Sequence, residues 1–235
     1  DPLDIGAPAP KLDIKQWVKG DPTPLEPGKV YIVEFWSTWC EACRRSIPHL
    51  TELQTTHRDE GVAIIAIASQ ESRGLAGLSE FVENQAQRIG YRVAWDNEGR
   101  TARSWMDAAR IESIPSAFIV NREGKVAWIG HPLIGLDRAL EQVLAGTLDL
   151  NVEAVLKRRT REVRAQTQAL AAAYSDAERA GDDDKALSIV DEILRLDPKL
   201  NGAWSIAKFK LLAGRMRDPE RAITFARQCL ESSLA

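Results

Sequence analysis

The sequence predicts an α/β domain with a mixed sheet and helices on both faces over residues 1–148, then a small all-α helical-hairpin domain over 149–235. Three observations carry this. Short runs rich in β-branched and aromatic residues alternate with segments of helical period up to about residue 149. The last two runs are joined by a five-residue loop with a glycine, Asn121 to Lys125, which reads as an antiparallel hairpin. Beyond residue 149 the β-branched runs stop, and Ala, Leu, Arg, Glu and Asp dominate.

The first 28 residues hold six of the eleven prolines, so this is an extended lead-in with a short strand or turn around Leu12 to Val18. Val30 to Trp36 follows the Pro27-Gly28 turn signal as a continuous apolar run and predicts a buried strand. From Glu41 to about Arg58, Ile47, Leu50 and Leu53 fall at helical spacing, and Gly61 closes the segment. Val62 to Ala68 predicts a second buried strand, Leu75 to Arg88 a helix, and Tyr91 to Trp95 a shorter strand. A short helix over Thr101 to Ala109 leads to Ile114-Pro115. The hairpin strands Ala117 to Val120 and Val126 to Ile129 follow, and then a closing helix, Leu136 to Leu144, stopped by Gly146.

In the second part, helices are expected over about 152–180 and 185–196, separated by Gly181-Asp182-Asp183-Asp184. Asp197-Pro198 ends the second, Trp204 lies in a third, and Asp218-Pro219 opens a fourth. Ala186-Leu187 and Leu194 are matched by Ala222-Ile223 and Leu230, 36 residues later in each case. That offset is close to the period of about 34 residues in tetratricopeptide repeats, which this segment resembles. A plain pair of helical hairpins reads the same pattern equally simply.

Composition excludes several classes. The chain has 235 residues, is 44% hydrophobic and 28% charged, and carries a net charge of −3, so nothing in its charge points to nucleic acid or an anionic membrane. No apolar run approaches the roughly 20 residues that span a bilayer. The start at Asp1-Pro2-Leu3 without a methionine fits either a processed mature chain or a trimmed one. Three cysteines are too few for a disulfide scaffold.

Two of the three stand as Cys40-Glu41-Ala42-Cys43, the spacing of a dithiol that closes a small ring. The strand-to-helix transition places Cys40 at a helix start. Unpaired N–H groups and the positive end of the helix dipole favour a thiolate there, lowering the thiol pKa. Cys40 is therefore the expected nucleophile, and Cys43, one turn in, the resolving thiol. Glu34 sits inside the first apolar run, on the face shared with Ile32 and Trp36. A buried acid is costly without a role, and the expected one is to accept the Cys43 proton through water. Trp39, beside the nucleophile, is the expected aromatic contact for substrate polypeptide, while Trp36 belongs in the core.

The segment Val33-Glu34-Phe35-Trp36-Ser37-Thr38-Trp39-Cys40-Glu41-Ala42-Cys43-Arg44 resembles the active-site segment of the thioredoxin superfamily. Pro48 is similar to the proline that kinks that family's active-site helix. Ile114-Pro115 resembles its cis-proline, which packs beside the disulfide and offers backbone to substrate. The lead-in Gly6-Ala7-Pro8-Ala9-Pro10-Lys11-Leu12 and Glu41 are most similar to the TlpA/ResA-type branch. The resemblance implies a thioredoxin-like fold over about residues 5–146, an extracytoplasmic location, and thiol–disulfide exchange on partner proteins, usually as a reductant restored by an upstream thiol donor. Glu34 replaces the Asp common in thioredoxins but keeps the acid. Glu41-Ala42 replaces Gly-Pro or Glu-Pro, a dipeptide that tunes potential, and leaves the direction of electron flow open.

No metal or other cofactor is expected. A structural zinc needs four ligands, and His49 and His57 follow Cys43 on one kinked helix, where closure is awkward. A peroxidatic cysteine would need Pro and Thr where Val33 and Ser37 stand. Cys229, with Ala222, Ile223, Ala226 and Leu230, is expected as a buried structural thiol. His131 reads as a surface turn, Asp182 to Asp184 as a solvated loop and helix start rather than a metal site, and Lys157, Arg158, Arg159 and Arg161 as a solvated helix face. The sequence thus predicts a thiol–disulfide oxidoreductase whose helical domain chooses the partner or joins two chains. The other reading is an interaction module in which the helical domain binds a client and the first domain is mainly a platform.

Overall fold

The computed structural model describes residues 2–14, 16–96, 98–196 and 201–233. The chain divides into two compact units, Asp1–Lys157 and Arg158–Ala235.

In the first unit six strands form one sheet. They are β1 (Gln16–Lys19), β2 (Val30–Trp36), β3 (Val62–Ala68), β4 (Arg92–Trp95), β5 (Ser116–Val120) and β6 (Val126–Gly130), in the order β1-β4-β3-β2-β5-β6. β2 is central, parallel to β3 and antiparallel to β5, so every one of its residues is buried. This is why Val30-Tyr31-Ile32-Val33-Glu34-Phe35-Trp36 reads as an unbroken run, with both faces covered. The sheet is mixed, since β3 and β4 are parallel while β1–β4 and β5–β6 are antiparallel.

Alternation along β2 sorts its residues into two cores. Val30, Ile32 and Trp36 face a cluster built with Ile47, Leu50 and Leu53 of α1 (Glu41–Thr56), Leu78 and Val82 of α2 (Gly74–Asn84), and Leu136, Leu140 and Val143 of α4 (Leu136–Leu144). Tyr31, Val33 and Phe35 face the opposite cluster, with Trp105, Phe118 and the lead-in residues Leu3 and Ile5. The helix expected over Thr101 to Ala109 is one α-turn, α3 (Arg100–Ala102), continued by a π-helical turn, Arg103–Asp107. The wider turn lets the consecutive Trp105 and Met106 both reach the core, where Trp105 meets Phe118 edge-on at 5.2 Å between centroids.

α1 carries Pro48 in its interior, as the sequence predicts. Proline has no N–H to donate, so one intrahelical hydrogen bond is not made at this position. Gly61, at φ +83°, supplies the left-handed turn from α1 into β3.

α5 spans Leu150–Ala180. Around it the second unit holds α6 (Asp183–Leu196), α7 (Asn201–Lys210) with a π-helical turn at Leu211–Arg215, and α8 (Pro219–Ser233). Its core is Ala177, Ala186, Leu187, Val190, Ile193, Leu211, Leu212 and Ala222, with Tyr174 edge-on to Trp204. The expected helix stop at Asp197-Pro198 lies outside the described residues. One expectation is corrected: Cys229 is half-buried, because α8 turns Ala222 inward while Ile223 and Leu230 of the same helix are exposed. Among the described residues no helix is long and apolar enough to cross a membrane.

Candidate active site

The site lies at the C-terminal ends of β2 and β3, whose register runs in parallel from Val30↔Val62 to Trp36↔Ala68. At this end both strands release loops that meet. Cys40 is the N-cap of α1 and is joined to Cys43 by a disulfide. The Cys43 N–H donates to Cys40 Sγ at 3.1 Å. A backbone donor and the helix N-terminus thus converge on the Cys40 sulfur, an arrangement that favours a thiolate at that position. Both sulfur-bearing residues are buried, Cys43 more deeply than Cys40.

Glu34 is 1% exposed and points under α1. Its Oε1 accepts a hydrogen bond from the Ser46 hydroxyl at 2.8 Å, and the same Oγ lies 2.7 Å from the Cys43 carbonyl oxygen. Burial pushes the Glu34 carboxyl up to about 8, while the Ser46 hydroxyl acts the other way. Ser46 carries one hydroxyl proton. When Glu34 is protonated, the carboxyl donates to Ser46 and Ser46 donates to the Cys43 carbonyl; when Glu34 ionises, Ser46 turns to the carboxylate. Burial and the Glu34 charge also hold the Tyr91 phenol well above its ordinary value. Ser46→Ala is expected to push Glu34 further up and to destabilise the fold by about 1 kcal/mol, read from the pH profile of exchange and from denaturant unfolding.

The loop before Cys40 is held by the loop after β3. The Ser37 hydroxyl donates to the Ser69 carbonyl, and the Ser69 N–H donates to the Trp36 carbonyl at 3.0 Å. The Thr38 N–H and hydroxyl donate to the two Glu71 oxygens at 2.6 and 2.8 Å. Trp39 is 53% exposed, and its indole N–H donates to the Gln70 carbonyl at 2.9 Å. Gln70 itself takes a positive φ of 62°, unusual for a residue with a side chain. Ser46, Ser69, Gln70 and Glu71 were not singled out by the sequence. The 69–71 loop lies some 26 to 31 residues from the dithiol along the chain, and β2–β3 pairing brings them together.

The Ile114–Pro115 bond is cis and opens β5, whose Ser116 pairs with Phe35. Ile114 is half-buried and packs against the same core cluster as the two cysteines. His49 and His57 are turned away from the dithiol toward Asp137 and Glu60.

The match to known proteins follows this architecture. Residues 5–129 match the AhpC/TSA family. The chain belongs to the AhpC/TSA family. Among curated relatives of this AhpC/TSA member, protein FixW of Rhizobium leguminosarum is 30% identical over 150 residues, covering 61% of this chain and 67% of FixW. Thiol-disulfide oxidoreductase ResA of Bacillus subtilis is 30% identical over 99 residues, covering 42% of this chain and 51% of ResA, so the chain spans about half of that relative. A solved thiol:disulfide interchange protein of the thioredoxin family from Chlorobium tepidum TLS superposes with a TM-score of 0.50 at 27% identity, over 61% of this chain and 97% of that one. The fold is thioredoxin-like. An AhpC/TSA family member with a CxxC disulfide on this fold has the make-up of a thiol–disulfide oxidoreductase.

Proposed function

We propose that the chain is a protein-disulfide reductase in which Cys40 attacks and Cys43 resolves. The observation that carries this is the Cys40–Cys43 disulfide at the start of α1, above the buried Glu34. In the reduced protein the Cys40 thiolate attacks one sulfur of a substrate disulfide, and the other sulfur leaves as a thiolate that takes a proton from water. The Cys43 thiol then loses its proton to Glu34 through water and attacks Cys40 Sγ. The second substrate sulfur leaves, two electrons have passed to the substrate, and the structure's disulfide remains. An upstream dithiol reverses the chemistry: its thiolate attacks Cys40, and a protonated Glu34 supplies the proton to the leaving Cys43 sulfur.

Substrate backbone would pair beside Ile114-Pro115, with Trp39 as the exposed apolar contact. This assignment rests on the resemblance of the site and on the Trp39 exposure. The helical domain, tetratricopeptide-like in its spacing, would select the partner or join two chains. The extracytoplasmic placement rests on the same resemblance. Peroxide reduction is not proposed. Val33 and Ser37, where a peroxidatic site would hold Pro and Thr, are interior, and the Ser37 hydroxyl is committed to Ser69.

Insulin-disulfide reduction by the full chain tests the reading. Cys40→Ser is expected to bring the rate to background, and an unchanged rate would refute it. A potential for the pair near or below about −250 mV supports the reductase direction, whereas about −120 to −180 mV points to an oxidase or isomerase.

A further inference from the structure

A groove of about 550 Å³ opens between α1 and α2, immediately beside the first turn of α1 that Cys40 caps. Its walls carry Arg44, Arg45 and Arg88, and its floor includes Pro48 and the ring of Phe81. Glu41 is the one carboxylate among its lining residues, and Arg45 pairs with it at 3.1 Å. Among the described residues the Arg88 guanidinium reaches only the neutral Gln85 side chain, at 3.2 Å. Arg44 has no carboxylate partner among the described residues. Two guanidinium groups therefore stand unneutralised along a groove of a chain whose net charge is −3. Such a local reversal of sign concentrates anionic partners and steers their approach.

Phe81 is half-buried and fixed by Trp36 at 5.8 Å between centroids, so the apolar floor is rigid where it meets the groove. From Glu41 to Pro48 the helix wall is about 10 Å long at 1.5 Å per residue, which matches roughly three residues of extended chain. Its near end is Glu41, the residue that follows Cys40.

We propose that this groove seats an acidic segment, a few residues long and with an apolar side chain for Phe81, that flanks the disulfide of the partner protein. The inference rests on the thiol–disulfide reading and adds the chemistry of the partner. Arg44 and Arg88 take the carboxylates, and seating the segment brings the partner's disulfide to Cys40. The pairing is a surface one, so salt weakens it.

The test uses the reduced full chain and two synthetic peptides with the same intramolecular disulfide, one flanked by Asp, Glu and Phe and the other by Ser and Phe. The acidic peptide is expected to be reduced about ten-fold faster at low salt, with the advantage lost at high salt. In the double variant Arg44→Glu/Arg88→Glu the acidic-to-neutral ratio is expected to fall to one or below. Because the ratio is the readout, a general change in thiol reactivity next to Cys43 cancels. Equal rates in the unmodified protein, with both peptides reduced, would overturn this inference and leave the reductase reading standing. Reduction of neither peptide would remove both. A ratio unaffected by the double variant, together with dissociation of a dimer by it, would make the groove an interface between copies and overturn the acidic-segment proposal.

Discussion

Cys43→Ser is expected to stop turnover at a covalent intermediate between the protein and its substrate. Cys40 keeps the features that activate it, namely its place as the N-cap of α1 and the N–H of residue 43 aimed at its sulfur. It still attacks, and one substrate thiol is released. With a hydroxyl in place of the resolving thiol, the mixed disulfide on Cys40 has no internal nucleophile to open it. Catalytic reduction falls to background while one equivalent of thiol appears, and the adduct is visible by mass under non-reducing conditions. Cys43 is nearly inaccessible, so the reciprocal variant Cys40→Ser is expected to form no such adduct. An adduct on Cys43 in that variant would reverse the assignment of the two sulfurs. The trapped adduct would also identify the physiological partner.

Glu34→Gln is expected to make the protein more stable and less active. In the unfolded chain this carboxyl titrates at its ordinary value, near 4.5, whereas in the fold burial moves it to about 8. Below about 4.5 both states hold the proton, and the group has no effect on the balance. Between 4.5 and 8 the unfolded state releases the proton and the folded state keeps it, so stability falls as pH rises, and above 8 the loss is complete. At 1.36 kcal/mol for each unit of pKa difference the loss is on the order of 3 kcal/mol at neutral pH. Gln preserves the acceptor for Ser46 and removes this dependence. Denaturant unfolding of the oxidised variant should therefore show a gain of about 4 kcal/mol at pH 8 and little change at pH 4. Exchange is expected to slow about 100-fold, the usual weight of a positioned acid–base group, and the rate profile should lose its inflection near pH 8. Equal stability at both pH values would mean that water reaches the carboxyl. An unchanged rate would mean that the Cys43 proton takes another route. The combination expected here, stability gained and rate lost, is the signature of a buried acid retained for chemistry rather than for folding.

Much of the site and the fold is legible in short stretches of sequence. The continuous apolar run around Glu34 marks a strand covered on both faces, and an acid within it stands out for that reason. Cys40 and Cys43 are three residues apart and need only a helix start to close their ring. The 121–125 loop, with its glycine, folds its two strands back on each other, and the structure forms that hairpin. Two expectations fared less well for a common reason. The regular helix over 101–109 gives way to a π-helical turn because Trp105 and Met106 must both reach the core. Cys229 is less buried than its apolar neighbours suggest, because packing uses only one side of α8. Local periodicity reports that a face is apolar but not which neighbour will cover it.

By itself, then, the sequence determined the alternation of strands and helices, the dithiol, the acid inside a strand and the proline before β5, because each is written within a few consecutive residues. The tertiary structure alone decided the strand order, the grip of Ser69, Gln70 and Glu71 on the loop before Cys40, the Ser46 hydroxyl between Glu34 and the Cys43 carbonyl, and the cationic groove between α1 and α2. Each of these joins residues from different elements. Parallel pairing of β2 with β3 carries the ends of two distant segments to the same edge of the sheet, and no local pattern encodes which residues will then face one another.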